Sequence, residues 1–129
     1  MIIGIGCDLS SVSRWEDEGR RDKLMQRFYS EEEAEYVRSR GRAAKESAAG
    51  IFAAKEAFVK ALGTGFSGIP PADIGISHDT LGAPKYRLTG KAADAFTKSG
   101  ANRVCLSISH DGGMAMAFCI LEKTDEVSI

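Results

Sequence analysis

The stretch FAAKEAFVKALGTG, Phe52 to Gly65, decides how the chain is read. Its apolar residues recur at helical spacing and it runs into a glycine turn, so it reads as the end of a helix. At about 100° per residue, Ala48, Ile51, Phe52, Phe58, Val59 and Leu62 fall on one broad face, and Ala53, Ala54, Ala57 and Ala61 on another. A helix that is apolar on both sides is buried on most sides, which makes Arg42 to Leu62 the long central helix. Lys55 projects into the apolar face, so it either snorkels or meets a partner carboxylate. Glu56 and Lys60 are four residues apart and share a side at the border of the two faces. Such a pair is ordinarily an ion pair worth a few tenths of a kcal/mol. As a functional pair, the carboxylate could hold a metal and the ammonium a phosphate.

The glycines that follow, Gly63, Gly65 and Gly68, supply positive φ and offer open backbone N–H groups, a setting suited to phosphate. They do not form a P-loop, because they close a helix instead of opening one and the GK[ST] ending is missing. Upstream, SEEEAEYVRSR (Ser30 to Arg40) is a helix with a Ser30/Glu33 capping box and charges that complement its dipole. That segment offers helix stability and no chemistry. SRWEDEGRRDKLMQRF (Ser13 to Phe28) is basic, with Arg14, Arg20, Arg21, Lys23 and Arg27 among apolar residues. Ser13 is its expected N-cap with Glu16 as capping-box partner, and Gly19 is expected to break it. By spacing alone it is a solvated amphipathic helix, with docking of an acidic protein as the functional alternative.

The N-terminal MIIGIGCDLSSV alternates Ile3, Ile5 and Cys7 against Gly4, Gly6 and Asp8, as a strand does. Gly4 and Gly6 leave one face bare for close approach of a backbone or ligand. Asp8 stands on that face and is either a turn cap or a metal ligand. Downstream, Asp73 to Asp79 and Lys85 to Leu88 make a hairpin, Gly90 to Ser99 a short helix, and Arg103 to Ser109 and Met114 to Leu121 a second hairpin around Gly112-Gly113. The tail from Glu122 to Ile129 is polar and expected to fray. Two His-Asp dipeptides, at 78–79 and 110–111, are weak metal signals because no third ligand falls at a fixed spacing.

Composition bounds the rest. The 129 residues suffice for one domain and one core, and 43% hydrophobic with 27% charged residues is ordinary for a soluble protein. A net charge of −1 points to neither nucleic acid nor membrane. Cys7, Cys105 and Cys119 are three scattered cysteines without CxxC spacing, as expected of reduced, mostly core thiols in the cytosol. No apolar run approaches the roughly 20 residues of a membrane span, and no signal peptide is expected.

GIGCDL at the start, FAAKEAFVKALGTG in the middle and SISHD near the end resemble, in order and spacing, the 4′-phosphopantetheinyl transferases, and within them the small holo-[acyl-carrier-protein] synthase class. The resemblance implies an α+β fold with an antiparallel-rich sheet packed on a long central helix, a single domain over 1–129, and a cytoplasmic homotrimer with sites between subunits. It implies a Mg²⁺-dependent enzyme of fatty acid biosynthesis that moves phosphopantetheine from coenzyme A to a serine of apo acyl-carrier protein, releasing adenosine 3′,5′-bisphosphate. By the same resemblance Asp8 and Glu56 would bind Mg²⁺ and, with Lys60, form the catalytic set. Lys60, Gly63, Gly65, Ser109 and His110 would bind coenzyme A, and Arg14 and Arg21 the carrier protein. A metal-bound or Asp8-held water is the preferred base. Three departures stand out. Ser10 takes the place of a third acid found in larger relatives. Ile51 replaces an arginine that often binds coenzyme A, with Arg42 or Lys45 as candidate substitutes. Asp111 replaces a frequent threonine. Two other readings use the same residues: a metal-dependent pyrophosphate hydrolase, and a non-enzymatic coenzyme A-binding module.

Overall fold

The structure, a computed structural model, describes residues 1–125. Strand β1 (Ile2–Ser11) pairs antiparallel with β5 (Met114–Glu122), which pairs antiparallel on its other side with β4 (Arg103–Asp111). In this register Asp8, Ala117 and Ile108 lie in one row across the sheet, and Ser10, Ala115 and His110 in the next. The helix α3 (Ala44–Leu62) lies on the face that carries these rows. Strands β2 (Ile74–His78) and β3 (Pro84–Leu88) form a separate hairpin, and the helices α1 (Glu18–Phe28), α2 (Glu31–Ser39) and α4 (Gly90–Lys98) complete the fold. The expected α+β architecture, an antiparallel sheet on a long central helix, is what the structure contains.

Small residues set the distance between α3 and the sheet. A Cβ on Gly6 would fall 1.8 Å from the Ala57 carbonyl oxygen, and one on Gly4 would fall 2.1 Å from that of Ala61. No side chain fits there, so backbone meets backbone, as the bare strand face suggested. Ala53, Ala54, Ala57, Ala115 and Ala117 are fully buried along the same seam. The opposite face of the sheet is apolar and bare: Ile5 is 58% exposed, Leu9 60% and Phe118 42%. Cys7 shares that face, so of the three cysteines only Cys119 is a buried thiol, a correction to the expectation of mostly core cysteines.

Lys55 does meet a carboxylate. Its ammonium, wholly buried, donates to Glu33 Oε1, the Pro71 carbonyl and the Ile74 carbonyl, each at 2.8 Å. An ammonium has three protons to donate, and all three are used. Glu33 also closes the capping box of α2, accepting from the Ser30 N–H at 2.8 Å, and its Oε2 accepts from the Ile76 N–H at 2.9 Å. One ion pair therefore joins α2, α3 and the β2–β3 hairpin.

Three local expectations are corrected. The Ser13/Glu16 capping box does not form: residues Val12–Trp15 make a 3₁₀ turn, and α1 starts later with Asp17 as N-cap, accepting from the Arg20 N–H at 2.8 Å. The cause is Trp15, which is fully buried and stacked on Tyr29 at 5.4 Å, so the chain must turn inward before α1 can begin. Gly19 lies inside α1 without breaking it. The tail is tied down as far as Thr124, by Lys123 N–H to the Met1 carbonyl at 2.8 Å and paired Asn102–Thr124 bonds at 2.9 Å; fraying at 126–129 lies outside the described residues.

Lys55→Met leaves the Glu33 carboxylate and two carbonyls buried without their cation. Denaturant unfolding should show a loss of about 3–5 kcal/mol. A loss under about 1 kcal/mol, the range of an exposed pair, would show that the ion pair is not the junction described.

Candidate active site

The seam of glycines places Asp8. With Gly4 and Gly6 flat against α3, the next residue on that face, Asp8, reaches the flank of the helix where Glu56 and Lys60 emerge. Lys60 Nζ donates to Asp8 Oδ1 at 2.8 Å and to the Cys7 carbonyl at 3.2 Å. Asp8 is no turn cap, and Lys60 crosses to the strand instead of pairing with Glu56 along the helix. The bond to Asp8 raises the proton affinity of Lys60. Glu56 is half-buried, and its pKa is raised first by that burial and then by the charge of Asp8, with Lys60 and Arg14 pulling it down. Two carboxylates thus face one another with a single ammonium on one of them.

Arg14 approaches the same flank. Its guanidinium lies 4.9 Å over the Phe52 ring and 5.9 Å from that of Trp15, and Phe52 stands one helical turn before Glu56. Arg14, Arg20, Lys23 and Arg27 are exposed. Arg21 is partly buried and donates to the Trp15 carbonyl at 3.0 Å, closing the 3₁₀ turn.

The other expected residues are elsewhere. His110 faces α3, its Nε2 2.9 Å from the Glu46 carbonyl and packed under Gly50. Ser109, one residue earlier on the strand, points to the opposite face of the sheet. Gly63 and Gly65 both have positive φ, but the Gly63 N–H is bonded to the Val59 and Lys60 carbonyls and is not open to a phosphate. Along α3, Lys60 and Glu46 are 14 residues apart, a rise of about 21 Å. One copy of the chain therefore brings Asp8, Glu56, Lys60 and Arg14 together, and keeps His110 away from them. Among the described residues no three His, Cys, Asp or Glu side chains cluster as a metal site.

His110 opens instead into a cavity of about 260 Å³ that also holds Tyr36, Arg40, Ser47 and His78. The Tyr36 and His78 rings stack in parallel, with centroids 3.9 Å apart and planes 2° apart. Burial and then the Arg40 charge push the His78 imidazole pKa down. The two His-Asp dipeptides of the sequence thus send their histidines into one cavity. Asp79 has a local task, accepting from the Leu81 and Ala83 N–H groups at 2.9 Å in the hairpin turn. Tyr36, Arg40 and Ser47 carry no sequence signal for this role, because only the packing of α2, α3 and the hairpin brings them together there.

Comparison with known proteins follows the same lines. Residues 4–119 match the sequence model of the 4′-phosphopantetheinyl transferase superfamily. The holo-[acyl-carrier-protein] synthase of Trichlorobacter lovleyi is 48% identical over 95% of this chain and 98% of its own length. That of Treponema denticola is 44% identical over 95% and 99%. Among solved structures, the holo-[acyl-carrier-protein] synthase of Neisseria meningitidis superposes with a TM-score of 0.82 at 35% identity, covering 95% of this chain and 100% of that one. The Bacillus anthracis enzyme, solved in complex with CoA (3′,5′-ADP), gives 0.77 at 35% identity over 96% and 99%. Matched over residues 4–119, the span that holds Asp8, the α3 helix and the SISHD strand, and 44–48% identical to these relatives over nearly its whole length, the chain belongs to the 4′-phosphopantetheinyl transferase superfamily.

Proposed function

We propose that this chain transfers 4′-phosphopantetheine from coenzyme A to a serine of apo acyl-carrier protein, giving holo carrier protein and adenosine 3′,5′-bisphosphate. The observation that carries the reading is the Asp8, Glu56 and Lys60 cluster, set on the flank of α3 by the glycine seam. The serine oxygen forms a bond to the β-phosphorus of coenzyme A, and the bond from that phosphorus to the bridging oxygen breaks. A water held by Asp8 takes the serine proton. Lys60 leaves Asp8 for the pyrophosphate oxygens, where charge develops on the leaving side.

The donor set suits Mg²⁺. Two hard carboxylates with no third acid are what a Mg²⁺ ion shared with substrate phosphates and waters needs. Asp8 and Glu56 would hold it; burial and then the Asp8 charge raise the pKa of Glu56, and a bound cation would offset both. When bound, the ion would neutralise charge on the phosphoryl oxygens. Arg14, with Arg20, Lys23 and Arg27 of α1, supplies the basic surface for an acidic carrier, while Arg21 would act there only by keeping the turn that presents Arg14.

A homotrimer with shared sites fits two further observations. The cavity beside His110 suits the nucleotide end of coenzyme A, yet it lies about 21 Å along α3 from Lys60. The apolar outer face of the sheet, with Ile5, Leu9 and Phe118, is a surface that a second copy would cover. No described helix is long and apolar enough to cross a membrane.

With Mg²⁺, coenzyme A and apo acyl-carrier protein, intact-mass spectrometry should show the carrier gaining one phosphopantetheine. Glu56→Gln should cut the rate by about 10²–10³-fold or more with the fold unchanged; normal transfer would remove Glu56 from the site. In the metal-free protein, the Glu56 carboxyl should titrate above the usual carboxylate range by ¹³C NMR, and Asp8→Asn should bring it down. Because the folded state holds that proton more tightly than the unfolded one, this contribution to stability is present at acid pH and is lost as pH rises through the folded value. An unchanged Glu56 titration in Asp8→Asn would mean that the two carboxylates do not interact. Sedimentation should give a trimer, and Leu9→Asp with Phe118→Asp should yield folded, inactive monomers; active monomers would rule out the shared site.

A further inference from the structure

The cavity beside His110 is lined by one cation, Arg40, that no acid among the described residues pairs with. Arg40 caps the C-terminal end of α2, its N–H bonded to the Val37 carbonyl at 3.1 Å, and its guanidinium lies 5.6 Å over the Tyr36 ring. The His78 imidazole stacks parallel on the same ring, so guanidinium, phenol and imidazole adjoin along the cavity wall. Among the described residues Arg40 makes no ion pair, whereas Arg38, two residues earlier, is held by Asp22 at 3.8 Å and Glu31 at 3.6 Å. The two acids whose charge acts on His78 are already engaged: Glu33 by Lys55, and Asp79 by the hairpin turn. Ser47 and His110 add polar groups, and Gly50, lacking a side chain, lets the His110 ring pack close against α3.

The same geometry decides among the cations near residue 51. Ile51 is 1% exposed and belongs to the core. Lys45 is tied to Glu16 at 3.6 Å, and neither it nor Arg42 lines the cavity. Arg40 does. A guanidinium seated on an aromatic face, with its fork free, is suited to a phosphate dianion beside a flat ring.

We propose that Arg40, seated on the Tyr36–His78 stack, binds the 3′-phosphate of coenzyme A and makes this chain prefer coenzyme A to its 3′-dephospho form. The assignment rests on the transferase reading: the pyrophosphate goes to Lys60 and the two carboxylates, which leaves the 3′-phosphate as the charged group at the nucleotide end. Arg40 is a specificity residue, exposed and remote from the reacting phosphorus, so its replacement should leave the fold and the chemical step unchanged.

The test compares carrier loading from coenzyme A and from 3′-dephospho-coenzyme A by wild type, Arg40→Gln and Arg40→Lys. Charge-assisted hydrogen bonds to one phosphate predict that Arg40→Gln lowers kcat/KM for coenzyme A by about 10–100-fold, mainly through KM. The value for the dephospho form should stay within about twofold, and Arg40→Lys should fall between, since it keeps charge without the fork. An equal loss on both substrates, or none on coenzyme A, overturns the assignment. Calorimetry with adenosine 3′,5′-bisphosphate and adenosine 5′-monophosphate separates this from the transferase reading. Wild type should bind the bisphosphate more tightly and Arg40→Gln should not, whether or not any carrier is loaded. A preference that survives in Arg40→Gln overturns the proposal, and a wild type that binds as expected but loads no carrier overturns only the transferase reading.

Discussion

The buried Lys55–Glu33 pair is the constraint on which the remaining structure hangs. Taking an ammonium and a carboxylate out of water costs several kcal/mol per ion, and the cost is offset only when every proton and lone pair finds a partner. Here the ammonium has three acceptors, and the carboxylate accepts from the ammonium and two backbone N–H groups. Burial lowers the pKa of Lys55, and the Glu33 charge opposes that shift. This geometry permits little slippage of α2 or the hairpin against α3. Those two elements supply one side of the cavity, Tyr36 and the capping Arg40 from α2 and His78 from the hairpin, opposite Ser47 and Gly50 of α3 and His110 of β4. Lys55 also precedes Glu56, and successive helical residues point about 100° apart. Anchoring one in the core fixes the direction of the next, out along the flank towards Asp8.

The second constraint is steric. The glycine–alanine seam brings α3 so close to β1 that a strand residue and a helix residue share one small site. Larger residues at Gly4 or Gly6 would lift the helix away and separate Asp8 from Lys60. The ion pair sets orientation and the seam sets distance.

Much of this was legible in the sequence where a residue's task is local. The Ser30/Glu33 capping box, the glycine stop at Gly63, the alternation of β1 and the misfit of Lys55 on an apolar face each follow from neighbours a few positions away. Asp8 beside the FAAKEAFVK helix was legible through motif order. What escaped is non-local. Glu33 serves α2 and Lys55 at once, and only the first task has a spacing. Ser13 and Glu16 satisfy the capping rule, yet burial of Trp15 outweighs a cap worth about 1 kcal/mol. Strand alternation puts Ser109 and His110 on opposite faces of the sheet, so within one copy only His110 turns towards α3. The meeting of His78, His110 and Arg40 depends on how the hairpin sits against α2 and β4, which no local pattern encodes.

The charge balance around Asp8 connects these constraints to chemistry. Lys60 bonds one carboxylate and lies near enough to the other to lower its pKa, yet Glu56 remains raised. Burial and the Asp8 charge outweigh the pull of Lys60 on Glu56, and Lys60 occupies the place beside Asp8 that a bound cation would take on the proposed reading. With Asp8 and Glu56 holding a metal, the Lys60 ammonium would be free to bond the pyrophosphate oxygens. Lys60 is suited to the move because it is half exposed, at 51%, on a flexible stem, whereas Lys55 five residues earlier is locked by three acceptors. Two lysines of one helix are thus fixed in opposite roles by burial: one holds the fold still, and the other is left free to change partner.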